Sequence, residues 1–206
     1  MDTAVPPNRQ PWNKGILVGQ KRPLQPKNVW SIRVRLELSG AIRELVLFNL
    51  AIDSKLRACD VVKLRVEDLW SGSSIRDKAT IIQKMTKRPV QFEVTEHTKI
   101  ALVAWLPFVR RNGGSYLFPS RRKTSQHLST RQYALIVHRW VASIGLDTSA
   151  YGTHSMRSTK AAQIYKKTGN LRAVQILLGH TKLESTVRYL GVEVDDALRI
   201  AEQIEL

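Results

Sequence analysis

The chain has 206 residues, with 33 Lys and Arg against 17 Asp and Glu, for a formal net charge of +16. A charge this positive points to a polyanionic partner, with a ribosome-like or generic cationic protein as the plain alternative. One cysteine, Cys59, excludes an intrachain disulfide, and no apolar run approaches the ~20 residues of a membrane span. The first residues lack the plan of a signal peptide, so a cytoplasmic, reducing location is expected.

Residues 1–30 hold Pro6, Pro7, Pro11, Pro23 and Pro26, with Arg9, Lys14, Lys21, Arg22 and Lys27 set against Asp2 alone. Proline fixes φ and removes donors, so this stretch reads as an extended basic arm. The body, residues 31–190, is periodic. Ala41, Ile42, Leu45, Leu47 and Leu50 form a helical stripe, and a second helix starts near Leu56 and uses Val61, Val62 and Leu64. Residues 80–83 and 90–94 read as strands, the second alternating with Val90, Phe92 and Val94 on one face, around a cationic hairpin at Lys84–Pro89.

A helix after Thr95 is expected to turn Ile100, Val103, Trp105 and Leu106 inward. The box Ser129-Thr130-Arg131-Gln132 opens another, carrying Leu135, Ile136, Trp140 and Val141, with Gly145 as its stop. Helices follow from His154 to Thr168, from Asn170 to Gly179 and from Lys182 to Leu190. Residues 191–206 turn acidic, and Val194, Ala197, Leu198, Ala201 and Ile204 stripe a last amphipathic helix. The expected fold is mainly α with a small antiparallel sheet.

The chemistry concentrates in the last quarter. His154 and Arg157 stand at i and i+3, so one helix face presents both. His180 follows Gly179 at a helix terminus, and Tyr189 sits one short helix later. Each residue alone has a bland reading. His154 would bond locally at a helix start, Arg157 would be solvated, His180 would complement a helix dipole, and Tyr189 would be core. Together they suit a phosphodiester held by cations and attacked by a phenol. The five histidines and Cys59 form no zinc spacing, so no zinc site is expected.

The segment from about Ile42 to Leu190 resembles the catalytic domain of the tyrosine recombinase, or phage integrase, family. Arg57 resembles the family's first arginine, and Asp60 the acidic residue three positions on. His154 and Arg157 match the His-x-x-Arg box with Thr159 after it, and Leu178-Gly179-His180 matches the Leu-Gly-His box. Tyr189 lies where the nucleophile belongs. The resemblance implies that Tyr189 attacks the scissile phosphate to give a 3′-phosphotyrosyl link and a free 5′-hydroxyl, with neither metal nor cofactor required. Arg57 and Arg157 would hold the phosphate, His180 would donate to it, and His154 would assist proton transfer. The implied partner is double-stranded DNA, met by a monomer in solution that becomes an oligomer, a tetramer, on DNA.

Two departures stand out. The family's general-acid lysine, commonly in a Gln-x-Lys-Thr setting, aligns with Met85 in Gln83-Lys84-Met85-Thr86-Lys87. Lys84 is the first candidate to replace it, with Lys87, on the same face if the strand continues, as the other. The family's separate DNA-clamping domain does not fit into 30 proline-rich residues. Two other functions therefore stay open: a non-catalytic DNA-binding accessory of the same fold, and a type IB topoisomerase-like strand-breaking enzyme.

Overall fold

The computed structural model describes residues 21–111, 113–121 and 125–190. Among these the order is α1 (Pro26–Leu38), α2 (Ile42–Ser54), α3 (Ala58–Val61), α4 (Val66–Leu69), β1 (Lys78–Ile82), β2 (Pro89–Glu93), α5 (Glu96–Arg111), α6 (Thr130–Ser143), α7 (Thr153–Thr168), α8 (Leu171–Leu178) and α9 (Leu183–Leu190). The fold is mostly helical, with one two-stranded antiparallel sheet, as the sequence pattern predicts.

The centre of the molecule is α2. Every residue from Val46 to Ser54 is buried, so this helix is enclosed on all sides rather than resting one stripe on a core. Helices α1, α5 and α7 and strand β2 pack around it. Phe48 meets Trp140 of α6 edge-on, with centroids 5.3 Å apart. The Trp140 indole N–H donates to Glu44 at 2.8 Å, so the ring is buried without leaving its donor unmet. Asn49, the one polar amide in the helix core, accepts from Arg33 Nε at 2.9 Å and donates to the His97 carbonyl.

The strands pair from Lys78↔Glu93 to Ile82↔Pro89, and Val90 and Phe92 lie buried on one face, with Val94 just beyond. Ser129 caps α6 by accepting from the Gln132 N–H at 3.1 Å. Gly169 ends α7 at φ 63°, in the left-handed region that favours glycine. Asn170 caps α8 through the Ala173 N–H at 2.9 Å.

Four expectations are corrected. Residues 26–30 are not arm but the first turns of α1, where Pro26 takes the opening position, one that needs no N–H donor. The helix expected from Leu56 is the four-residue α3, and Val62 and Leu64 are buried beyond its end. In α5, Ile100 and Val103 are each 63% exposed, and the buried face is Thr98, Ala101, Leu102, Trp105, Leu106 and Val109. In α6, Leu135 is 59% exposed, while Tyr133, Ile136, Val137, Trp140 and Val141 turn inward. The helix expected over Val194–Ile204 lies outside the described residues, as does most of the arm.

Phe48→Ala should cost about 3–5 kcal/mol in urea unfolding, and Ile100→Ala under about 0.5 kcal/mol. Comparable losses for the two would contradict this assignment of faces.

Candidate active site

The site is built on the open end of a helix. An α-helix leaves its last carbonyls without intrahelical partners. At the end of α8, Gly179 turns left-handed at φ 66°, and the N–H groups of Gly179 and His180 close back on Ile176 and Gln175. The Leu178 carbonyl stays free and takes two side-chain donors. Arg157 Nη2 reaches it at 2.7 Å and Gln83 Nε2 at 3.3 Å. A cation there also complements the negative end of the α8 dipole.

Arg157 is 2% exposed. Its Nη2 lies 3.2 Å from His180 Nε2, and its guanidinium carbon sits 5.4 Å from the centre of the Tyr189 ring. Guanidinium groups only donate, so Nε2 is the acceptor and the His180 proton is on Nδ1. That nitrogen faces the buried Thr186 hydroxyl at 3.0 Å. The His180 and Tyr189 rings meet edge-on at 5.4 Å. The Tyr189 hydroxyl donates to the His154 carbonyl at 3.3 Å, which ties the start of α7 to the end of α9.

Arg57 stands at the N-cap of α3 and donates from Nη1 to Gln83 Oε1 at 2.7 Å. Gln83 is fully buried at the end of β1 and also accepts from the Thr86 hydroxyl at 2.9 Å. The fit is close: a Cβ at position 179 would lie 2.6 Å from Val90 Cγ2 and 3.1 Å from Gln83 Oε1. Only glycine lets the α8 end meet the hairpin.

The structure therefore brings together Arg57, Arg157, His180, Tyr189 and the first turn of α7, from which the exposed His154 projects. The contacts that join these residues do not include Lys84: its backbone N–H donates to Asp60 Oδ1 at 2.9 Å, and it lines a cleft with Asp60, Lys63, Arg65, Asp68 and Thr80. The strand does not continue to Lys87. It ends at Ile82, and Lys87 sits in the turn at φ 55°, so the shared face expected for Lys87 is lost. Met85 is 70% exposed on the same turn.

Two features escaped the sequence reading. One is the role of Gln83, which the sequence marks only as the start of the Gln-x-Lys-Thr setting. The other is the segment at Lys21 and Arg22, which lines a small cavity with Ser158 and Tyr189. Its backbone is fixed by Arg22 N–H to the Ala150 carbonyl at 3.0 Å and Leu24 N–H to Thr159 Oγ1 at 2.9 Å. Among the described residues no helix is long and apolar enough to cross a membrane, and no group of His, Cys, Asp and Glu gathers as a metal site.

The pattern of the phage integrase family matches residues 23–195. The chain is 28% identical over 162 residues to the probable integrase/recombinase YoeC of Bacillus subtilis, covering 79% of this chain and 84% of that one. It is 29% identical over 165 residues to tyrosine recombinase XerC of Neisseria gonorrhoeae, covering 79% of this chain but 52% of the relative. The chain thus spans about half the length of XerC. Among solved structures, the XerA recombinase superposes with a TM-score of 0.72 at 16% identity, covering 90% of this chain and 65% of that one, a likeness of fold.

Burial dominates the electrostatics. It brings Arg157 down to about 10, with Arg57 adding to the effect, which leaves a cation at neutral pH. It raises the Tyr189 phenol to about 12 against the pull of Arg157 and Arg57, so the hydroxyl keeps its proton until a base takes it. It drives His180 down to about 4, helped by the charges of Arg157 and Arg57, and lowers His154 by the same causes. An unfolded histidine titrates near 6.5. Between pH 6.5 and 4 the unfolded chain therefore binds more protons at His180 than the folded one, and stability falls on acidification. The urea midpoint should drop through that window, and His180→Gln should flatten the slope. Equal slopes in both proteins would show that His180 is not held neutral by the fold.

Proposed function

The chain belongs to the phage integrase family, and from that premise we propose that it cuts and rejoins double-stranded DNA at a specific site through a 3′-phosphotyrosyl intermediate. The observation that carries the reading is the convergence of Arg57, Arg157, His180 and Tyr189 on one surface. A phosphodiester entering there meets two guanidinium forks that match its non-bridging oxygens.

The Tyr189 oxygen attacks phosphorus and loses its proton, and the 5′-oxygen leaves as a hydroxyl once it gains one. His154 and His180 are neutral at pH 7, so either ring can accept the phenolic proton. The His180 ring accepts from Arg157 in the free protein. Its donation to a phosphate requires Arg157 to release Nε2 as the substrate oxygen takes over the guanidinium. The bond energy stays in the phosphotyrosyl link, so rejoining by a 5′-hydroxyl needs no external energy source.

In this reading the body of the chain is the breaking and rejoining unit, and the basic residues before it follow the phosphate backbone. The protein is a monomer when free and gathers into a tetramer on DNA. A second reading, a DNA-binding accessory that cleaves poorly, is favoured by one observation. In the sequence Met85, which cannot donate a proton, stands where the family's general-acid lysine is expected, and it is 70% exposed on the hairpin turn.

A pool of nicked duplexes with randomised sequence beside the nick tests both. Cleavage there frees a short oligonucleotide and traps the adduct. Tyr189→Phe should abolish the adduct with DNA affinity nearly unchanged, and Arg57→Ala should slow it about 100-fold or more. Equal losses of affinity and rate for Arg57→Ala would mean simple charge attraction. A large gain on Met85→Lys would favour the accessory reading.

A further inference from the structure

Two arginines converge on one surface; their charges together lower the pKa of His180, and the nearby Asp60 carboxylate offsets only part of the charge on Arg157. Like charges repel, so something must hold them. A carboxylate is the usual partner for a buried arginine, and it grips the guanidinium fork with both oxygens. Such a pair would also occupy the donors and neutralise the charge that a phosphate needs. The hydrogen bonds found here avoid that outcome. Arg157 donates to a backbone carbonyl and a neutral imidazole, and Arg57 to a side-chain amide.

We propose that Gln83 is a positioning residue that holds both phosphate-binding arginines in register without neutralising them. Its Oε1 fixes Arg57 at 2.7 Å. Its Nε2 donates to the Leu178 carbonyl, the same oxygen that holds Arg157. One amide thus spans from the N-cap of α3 to the C-terminus of α8. Two hydrogen bonds keep the amide in place: Thr86 donates to Oε1 from the hairpin turn, and the Gln83 backbone N–H donates to the Arg88 carbonyl at 2.9 Å, while Gly179, lacking a Cβ, leaves the space that the amide fills. The side chain is fully buried, so no water competes for these bonds. Asparagine is one methylene too short to span both partners, and glutamate would place a carboxylate directly on Arg57.

The proposal rests on the reading that Arg57 and Arg157 hold a phosphate, and two variants separate the parts. Gln83→Met keeps the volume and removes both polar contacts. Gln83→Glu keeps an acceptor for Arg57 and Thr86 but introduces a negative charge and sets an oxygen against the Leu178 carbonyl. On a captured nicked duplex at saturating DNA, the adduct should form about 10-fold slower or worse with Gln83→Met and about 100-fold slower with Gln83→Glu. The dissociation constant for the same duplex should stay within about threefold, because many other cations meet the backbone. A role in stability alone would lower the melting temperature of both variants and leave the rate per folded molecule unchanged, which would overturn the proposal.

An arm that does not depend on activity uses nitrogen-15 NMR of the guanidinium groups. In the native protein Arg57 should show slowed rotation about its Cζ–Nε bond, and Gln83→Met should release it. Unchanged Arg57 rotation in Gln83→Met overturns the proposal even if the native protein cleaves DNA. Released rotation, with no adduct from the native protein on any duplex, supports the positioning role and sinks the cleavage reading alone.

Discussion

The site depends on the Leu178 carbonyl, a helix-end acceptor that holds Arg157 in place. An arginine 2% exposed is expensive to keep charged, and its pKa falls to about 10. It stays cationic because the carbonyl, the His180 ring and the Tyr189 face share the charge without cancelling it. The other features follow from that bond. Gly179 must be glycine so that the helix can end where the carbonyl is exposed to two donors. Gln83 completes the carbonyl's coordination and brings Arg57 with it. His180 is fixed as the tautomer that accepts from Arg157.

A second network, buried at Asp53 and Lys55 and open to solvent at Glu93, braces the scaffold beneath. Asp53 Oδ2 accepts from the Thr95 and Thr98 hydroxyls, each at 2.6 Å. Lys160 Nζ lies 3.3 Å from Asp53 Oδ1 and 3.2 Å from Glu93 Oε2. Lys160 is one helical turn beyond Arg157, so the face that carries the site also anchors α7 to the end of α2 and to β2. Lys55, fully buried and left-handed at φ 55°, reaches the same Glu93 at 3.7 Å, and burial pulls its pKa down. Breaking such a buried group strands the partner charges, so this cluster fixes geometry more than it adds stability.

Much of this was legible in the sequence where spacing alone decides the outcome. His154 and Arg157 share a helix face because three residues separate them. Val90 and Phe92 face inward because strands alternate, and Gly169 and Gly179 end helices because few other residues turn left-handed. Long-range geometry hid the rest. Pro26 reads as arm until its position at the start of α1 is known. The α5 sequence carries apolar residues on two faces, and only packing against α2 chooses Ala101 and Leu102 over Ile100 and Val103. Lys84 and Lys87 were the nearest lysines to the expected acid, but β1 ends at Ile82, so the turn conformation and not the strand period sets the direction of Lys87. Gln83 stood out in the sequence only as the first residue of the Gln-x-Lys-Thr setting, because its partners lie 26 and 95 positions away.

The central claim is that this surface breaks DNA through Tyr189, and identifying the residue that carries the DNA tests it most directly. The trapped adduct would be digested with protease and nuclease and the nucleotide-bearing peptide sequenced by mass spectrometry. The account predicts a single modified peptide from α9, with the phosphate on Tyr189. Modification at Tyr165 or any other residue, or no covalent link on any duplex, would contradict it.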